Sequence, residues 1–170
     1  ITALRGPGVT IDPREGEAVV VTTANGLPDD VVTSVLASSD GQVWIGTRSG
    51  LARFDKDTGV FSPIELKTPD PHSIGAQFLF SVHEDHSGTV WMTAQGRGVY
   101  EYRPADGTLI DHQNHSWDSG SISSDWTNFV REDSTGTIWS GTNLGLNAYN
   151  RATRQWQRFY NHATDPTSLS

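Results

Sequence analysis

The chain has 170 residues and a formal net charge of −8, because 20 acidic side chains outnumber 12 basic ones. Such an acidic surface repels phosphate backbones, so no nucleic-acid partner is expected. Seventeen Gly, eight Pro and sixteen aromatic residues (six Trp, six Phe, four Tyr) favour short strands, tight turns and an aromatic core. This composition predicts an all-β protein, and the absence of Cys excludes disulfides and thiolate metal sites.

In chain order, residues 1–26 form a lead-in that begins at Ile1 and lacks a signal-peptide pattern, so we interpret the chain as an internal segment. Within it, 18–21 is an apolar stretch that we predict as the outer strand of a neighbouring blade. Three similar strings then follow, DGQVWIGTRSGLARFD, SGTVWMTAQGRGVYEY and TGTIWSGTNLGLNAYN. Their tryptophans, Trp44, Trp91 and Trp139, are 47 and 48 residues apart.

Repeats of about 40–50 residues with four short strands each are typical of propeller blades. We therefore predict a β-propeller fragment of three consecutive blades, at 27–72, 73–120 and 121–167, with 168–170 beginning a truncated fourth repeat. The predicted strands are 32–38, 43–47, 51–54 and 60–65 in the first blade, 79–85, 90–94, 99–102 and 108–112 in the second, and 127–133, 138–142, 146–149 and 155–159 in the third.

One connector sequence precedes each later repeat. It has the form D-[PS]-x-S-[IL] and occurs at 70–74, 118–122 and 165–169. Asp can hydrogen-bond its own backbone two residues on, and Pro fixes the backbone angle that a turn needs. The third copy is the reason for predicting a fourth repeat from Ser168.

The combined pattern resembles the two-component regulator propeller family over about residues 18–170. It consists of an opening S-[IL], a D-x-x-G turn, and then [VI]-W-x-[GT]-T-x-x-G-[LV]-x-x-[FY]. The resemblance implies a non-catalytic periplasmic region of a membrane-anchored, homodimeric bacterial sensor, ahead of a histidine kinase or a diguanylate cyclase. No cofactor is expected. The sequence departs from the pattern at Met92, Thr93 and Ser140, which should alter packing.

The recurring tryptophans are expected to pack between adjacent blades, whereas positions that differ between blades are candidates for binding. An aromatic beside a carboxylate or amide precedes the first predicted strand of two blades and suits a sugar, whose apolar face stacks while its hydroxyls hydrogen-bond. Arginines in the turns between second and third strands could add donors. Ordinary surface variation is the alternative explanation. The predicted ligand-binding residues are Asp30, Arg48, Gln77, Phe78, Arg97, Asp125 and Trp126.

The run His83–His86 does not match H-E-x-x-H and lies on a predicted strand, so no metal site is predicted there. Asp40, Asp85 and Asp133 lie near turn glycines and are expected to stabilise those turns.

Expected partners are an oligosaccharide or other small molecule, together with the remaining blades of the parent chain or a second copy that covers the exposed blade faces. Two alternative functions remain open. One is a metal-dependent lyase of the streptogramin lyase type, and the other is a structural propeller that binds proteins.

Overall fold

The computed structural model describes residues 9–10, 20–66, 78–162, 164 and 168. Twelve strands in these ranges form three four-stranded antiparallel sheets, and in each sheet the strands pair in sequence order. A short sheet pairs β1 (Val9–Thr10) with β2 (Val20–Val21), and a 3₁₀ turn covers Thr23–Asn25. The all-β prediction with three four-stranded blades is confirmed. Among the described residues, no helix is long and apolar enough to span a membrane.

Each sheet is one blade. Blade 1 contains β3 (Val32–Ala37), β4 (Val43–Thr47), β5 (Gly50–Asp55) and β6 (Val60–Ile64). Blade 2 contains β7 (Leu79–Glu84), β8 (Val90–Ala94), β9 (Gly98–Arg103) and β10 (Thr108–His112). Blade 3 contains β11 (Thr127–Glu132), β12 (Ile138–Thr142), β13 (Gly145–Asn150) and β14 (Gln155–Phe159).

The chain divides into two compact units, residues 1–79 and 80–170. In the first unit, blade 1 packs its aromatic pair against the lead-in. The rings of Phe54 and Phe61 lie 4.5 Å apart and share a buried cluster with Val21 and Leu27. This packing anchors the chain just before the first blade.

In the second unit, blades 2 and 3 share one hydrophobic core. Trp91 of blade 2 is fully buried and its ring lies 5.4 Å from that of Tyr149 in blade 3. The expectation that the repeated tryptophan packs between blades is therefore confirmed for Trp91. The members of this core are Trp91, Val99, Ile122, Val130, Ile138, Tyr149 and Trp156.

The repeated tryptophan of blade 3, Trp139, lies on the face of its sheet that points away from blade 2. Cross-strand pairs share a face, and Ile138 pairs with Tyr149 while Trp139 pairs with Ala148. Because Ile138 and Tyr149 face blade 2, Trp139 and Ala148 face away from it. Trp139 is partly exposed, with the Phe159 ring 5.7 Å away.

Of the lead-in strand predicted at 18–21, only Val20 and Val21 are among the described residues, where they pair with Val9–Thr10. Its assignment to a neighbouring blade stays a prediction. The connector at 70–74 lies outside the described residues.

Candidate functional site

Three of the predicted ligand-binding residues, Arg97, Asp125 and Trp126, meet at one edge of the second unit. We define the Trp126 edge as the turn 95–97 between β8 and β9, the pair 125–126 before β11, and the turn 143–144 between β12 and β13. Gln95 and Trp126 form an antiparallel bridge, and the Asn143 N–H donates to the Trp126 carbonyl at 3.0 Å. The backbone of Trp126 is thus held from both blades.

The Trp126 side chain is displayed rather than buried. The side chain is 55% exposed, although a large apolar side chain stabilises a fold most when it is buried. A Cβ placed on Gly96 would lie 3.8 Å from the indole Cζ2, so the indole packs on the turn 95–97. Gly96 has a φ of +67°, a backbone conformation that favours glycine. Leu144, which is 58% exposed, adds a second apolar group to the edge.

The Trp126 edge also contains charged residues. The Asp125 carboxylate accepts a hydrogen bond from the Asn114 N–H at 2.6 Å, while its carbonyl accepts one from the Gly98 N–H at 2.9 Å. Burial and the nearby Asp111 charge raise the pKa of Tyr100 to about 12, and Arg97 opposes that rise. Asp111 is the cross-strand partner of Tyr100, so the two side chains lie on the same face of the sheet. The edge combines an apolar plate with anionic and cationic groups.

The remaining predicted residues lie in the first unit. Arg48 stacks over the Phe78 ring, with its guanidinium carbon 5.7 Å from the ring centre. The Asp30 carboxylate accepts from the Thr23 N–H at 2.6 Å, so it stabilises the start of the 3₁₀ turn. Gln77 lies outside the described residues. Two pairings of predicted residues thus exist, one in each unit.

An ionic site between blades 2 and 3 was not predicted. The fully buried Asp85 carboxylate accepts from Trp91 Nε1 at 2.7 Å and from Arg151 Nη2 at 2.9 Å. Burial alone would raise its pKa, but the hydrogen bonds from Ser87, Trp91 and Arg151 lower the pKa of Asp85 to about 2. Arg151 also reaches Glu132 Oε1 at 3.0 Å. In the sequence, the aspartate and tryptophan of this site belong to the string D-x-[ST]-G-T-x-W, which occurs at 85–91 and again at 133–139.

The turn role of the three aspartates is confirmed. Asp85 accepts from the backbone N–H groups of Ser87 and Thr89, Asp133 accepts from those of Thr135 and Thr137, and Asp40 accepts from that of Gln42. In blade 1 the position of Asp85 and Asp133 is occupied by Ser38, which makes the same backbone hydrogen bonds. Asp40 lies two residues later in that turn.

The two histidines of the 83–86 run also bind Glu132 of blade 3. His83 Nε2 accepts from the Glu132 N–H at 2.9 Å, and His86 Nδ1 lies 2.5 Å from Glu132 Oε1. Burial, followed by the Arg131 charge, lowers the pKa of His83. Within the described ranges, no group of three His, Cys, Asp or Glu side chains is placed to hold a metal ion.

Comparison with known proteins identifies the repeat. Residues 26–49 match the sequence model of the family described as two component regulator propeller. This segment is therefore similar to a repeat of this family, and the resemblance inferred from the motifs is confirmed. No curated protein matches the chain.

Several solved structures share the fold. The extracellular domain of a B. thetaiotaomicron protein named as the hybrid two component system BT4673 is 25% identical, with a TM-score of 0.72 over 91% of this chain and 20% of its own. That of BT3049, from the same organism, is 20% identical, with a TM-score of 0.74 over 88% of this chain and 21% of its own. Virginiamycin B lyase of Staphylococcus aureus is 18% identical, with a TM-score of 0.56 over 80% of this chain and 42% of its own.

These likenesses confirm that the three sheets are propeller blades. The chain spans about a fifth of the length of the two extracellular domains. At 18% identity, the likeness to the lyase concerns the fold alone.

Proposed function

We propose that this chain, which carries a two-component regulator propeller repeat, is a non-catalytic, ligand-sensing segment on the outer side of a bacterial membrane. The parent protein would be an anchored homodimeric signalling protein, with this segment in the periplasm. Support comes from the family match at 26–49 and from the likeness to extracellular domains of hybrid two component systems.

We assign ligand binding to the Trp126 edge. The observation that carries this assignment is a large indole that is 55% exposed while its backbone is hydrogen-bonded on both sides. Such a plate loses little conformational entropy on binding, because the side chain is already supported by Gly96.

The chemistry favours a polyhydroxylated ligand such as an oligosaccharide. An indole face packs on the apolar face of a sugar ring, and carboxylate or guanidinium groups hydrogen-bond its hydroxyls. Asp125 directly precedes Trp126, and Arg97 lies in the turn whose Gln95 forms a bridge with Trp126, so the edge contains one group of each charge. The pair Arg48–Phe78 offers the same combination of cation and aromatic ring in the first unit.

The test is a glycan array followed by calorimetric titration of the chain with the oligosaccharide that binds. Trp126→Ala should weaken binding by about tenfold or more, as for truncation of a central aromatic anchor. Trp117→Ala is the matched control, because Trp117 is 83% exposed on the blade 2–blade 3 connector and lies outside the edge. Equal affinities for the wild type and Trp126→Ala would refute the assignment.

The same preparation should be assayed for metal-dependent turnover of a streptogramin. Turnover by the chain would overturn the non-catalytic proposal in favour of the lyase alternative. If no glycan or other small molecule binds the chain, the sensing proposal fails for this segment.

A further inference from the structure

The side chain of His83 makes a contact between blades 2 and 3 that depends on its protonation. Its ring atom Nε2 accepts a hydrogen bond from the backbone N–H of Glu132 at 2.9 Å. His83 lies on β7 and Glu132 is the last residue of β11, so the bond joins the first strands of the two blades near their ends. A charged histidine ring has protons on both nitrogens and cannot accept a hydrogen bond. The contact therefore requires a neutral His83.

Charged groups of both blades surround the His83 ring. Burial, followed by the charge of Arg131, lowers the pKa of His83. Arg131 is held beside β7, because its guanidinium donates to Ser81 Oγ at 3.1 Å. The charges that oppose this lowering are the carboxylates of Glu132, Asp85 and Glu84. A proton on Nε2 would face the Glu132 N–H, a donor that already points at this atom, and would place a second cation near Arg131.

The neighbouring contacts between the two blades tolerate protons. His86 Nδ1 lies 2.5 Å from Glu132 Oε1, and the His86 backbone N–H donates to Oε2 at 2.8 Å. A charged His86 ring keeps this contact, because its nitrogen then donates to the carboxylate. The ion pair of Asp85 with Arg151 also stays charged in mild acid, because the pKa of Asp85 is about 2. Of these three contacts, a proton breaks only the one made by His83.

The blade fold does not require a histidine at this position. In blade 1 the equivalent residue is Leu36, which pairs with Trp44 across β3 and β4. In blade 3 it is Arg131, which pairs with Trp139 across β11 and β12. Each precedes the repeated tryptophan by eight residues, as His83 does in blade 2. An acceptor that a proton can remove is thus a property of this interface and not of the repeat.

We propose that His83 is a proton-sensitive latch between blades 2 and 3, which releases the end of β11 from β7 when its ring becomes charged. Because the folded-state pKa of His83 lies below the ordinary value of 6.5, the stability it contributes is complete above that value and is lost as the pH falls towards the folded-state pKa. The latch is therefore closed at neutral pH and opens in mild acid. Since β11 begins directly after Trp126, opening frees the far end of the strand that follows the Trp126 edge. This inference does not depend on ligand binding at that edge.

The test is hydrogen exchange of single backbone amides followed by NMR, with each rate corrected for the intrinsic rate at that pH. Below the ordinary histidine pKa, each pH unit adds up to about tenfold to the open population until the folded-state pKa is reached. Protection of the Glu132 amide should therefore fall by about tenfold between about pH 7.5 and about pH 5. The Asp133 amide is the internal reference, because it donates to the Thr137 carbonyl at 3.0 Å within blade 3. Its protection should not change.

Two substitutions separate the proton from the contact. His83→Gln supplies an amide oxygen that does not titrate, so the Glu132 amide should stay protected at both pH values. His83→Leu carries the side chain of blade 1 and should leave that amide weakly protected at both. His115→Gln is the control, because His115 is an exposed histidine on the connector, and it should keep the wild-type response. Glu132 protection that is independent of pH in the wild type, or a fall with pH that persists in either His83 variant, would overturn the proposal.

Discussion

Asp85→Asn is the most direct probe of how blades 2 and 3 hold together. The substitution keeps side-chain volume and the oxygen that accepts from the Ser87 and Thr89 N–H groups. It replaces Oδ2 with an NH₂ group that faces two donors, Trp91 Nε1 and Arg151 Nη2. The change therefore breaks the contact between the blades while retaining the turn.

The expected loss follows from two estimates. Lowering the Asp85 pKa from 3.8 to about 2 corresponds to about 2.5 kcal/mol of stabilisation by the ionised carboxylate at neutral pH. A buried donor left unpaired costs about 1–3 kcal/mol, and Trp91 is fully buried. Because these terms overlap, we expect Asp85→Asn to reduce the free energy of unfolding by about 3 kcal/mol.

The pH dependence gives a second signature. A carboxyl whose folded-state pKa is lowered stabilises the fold above its unfolded-state value, and this contribution disappears as the pH falls through the folded-state value. The difference between the wild type and Asp85→Asn should thus be constant above about pH 5 and shrink towards pH 2.

Urea unfolding followed by near-ultraviolet circular dichroism at several pH values measures this difference. Asp106→Asn, in an exposed turn of blade 2, should leave the unfolding midpoint unchanged and controls for general charge effects. A loss below about 1 kcal/mol at pH 7, or a difference that does not change with pH, would refute the account of Asp85 as the anchor between blades.

The other expectations concern single backbone and side-chain positions, each with a matched control in urea unfolding. A Cβ on Gly98 would lie 2.1 Å from the His112 carbonyl oxygen, so Gly98→Ala should cost several-fold more stability than Gly107→Ala, which shares a positive φ but meets no neighbour. Equal losses would contradict this reasoning. The buried Thr93 hydroxyl has no hydrogen-bond partner, so Thr93→Val should stabilise the chain by about 1 kcal/mol. Thr47→Val should destabilise it, because the Thr47 hydroxyl donates to a carbonyl; a loss in both variants would argue against an unpaired hydroxyl at Thr93.

Most of the fold could be predicted from the repeat, because each blade arranges its four strands in the same order. The second strands fall where they were predicted, at Val43–Thr47, Val90–Ala94 and Ile138–Thr142. The first strands end one residue earlier than predicted, since Ser38, Asp85 and Asp133 leave the strand to form the turn. Side-chain chemistry at the turn therefore sets the end of the strand.

The site was less predictable, because spacing along the chain does not show which side chains meet across blades. Register correctly placed Trp126 and Asp125 directly before β11 and Arg97 in the turn between β8 and β9. It did not indicate that Asp30 is committed to the Thr23 N–H, which is a local contact. Nor did it single out Arg151, whose role requires a partner 66 residues earlier.

Comparison of equivalent positions explains why an indole at position 126 points to binding. In blade 1, the Arg48 N–H donates to the Val31 carbonyl at 3.1 Å, and in blade 3 the Asn143 N–H donates to the Trp126 carbonyl at 3.0 Å. The blade uses only the backbone carbonyl at this position, so a valine is sufficient there. Both side chains are exposed, so neither supplies the core. A tryptophan where valine suffices adds apolar surface without adding to the packing of the blade, and a ligand that covers this surface would gain its burial energy.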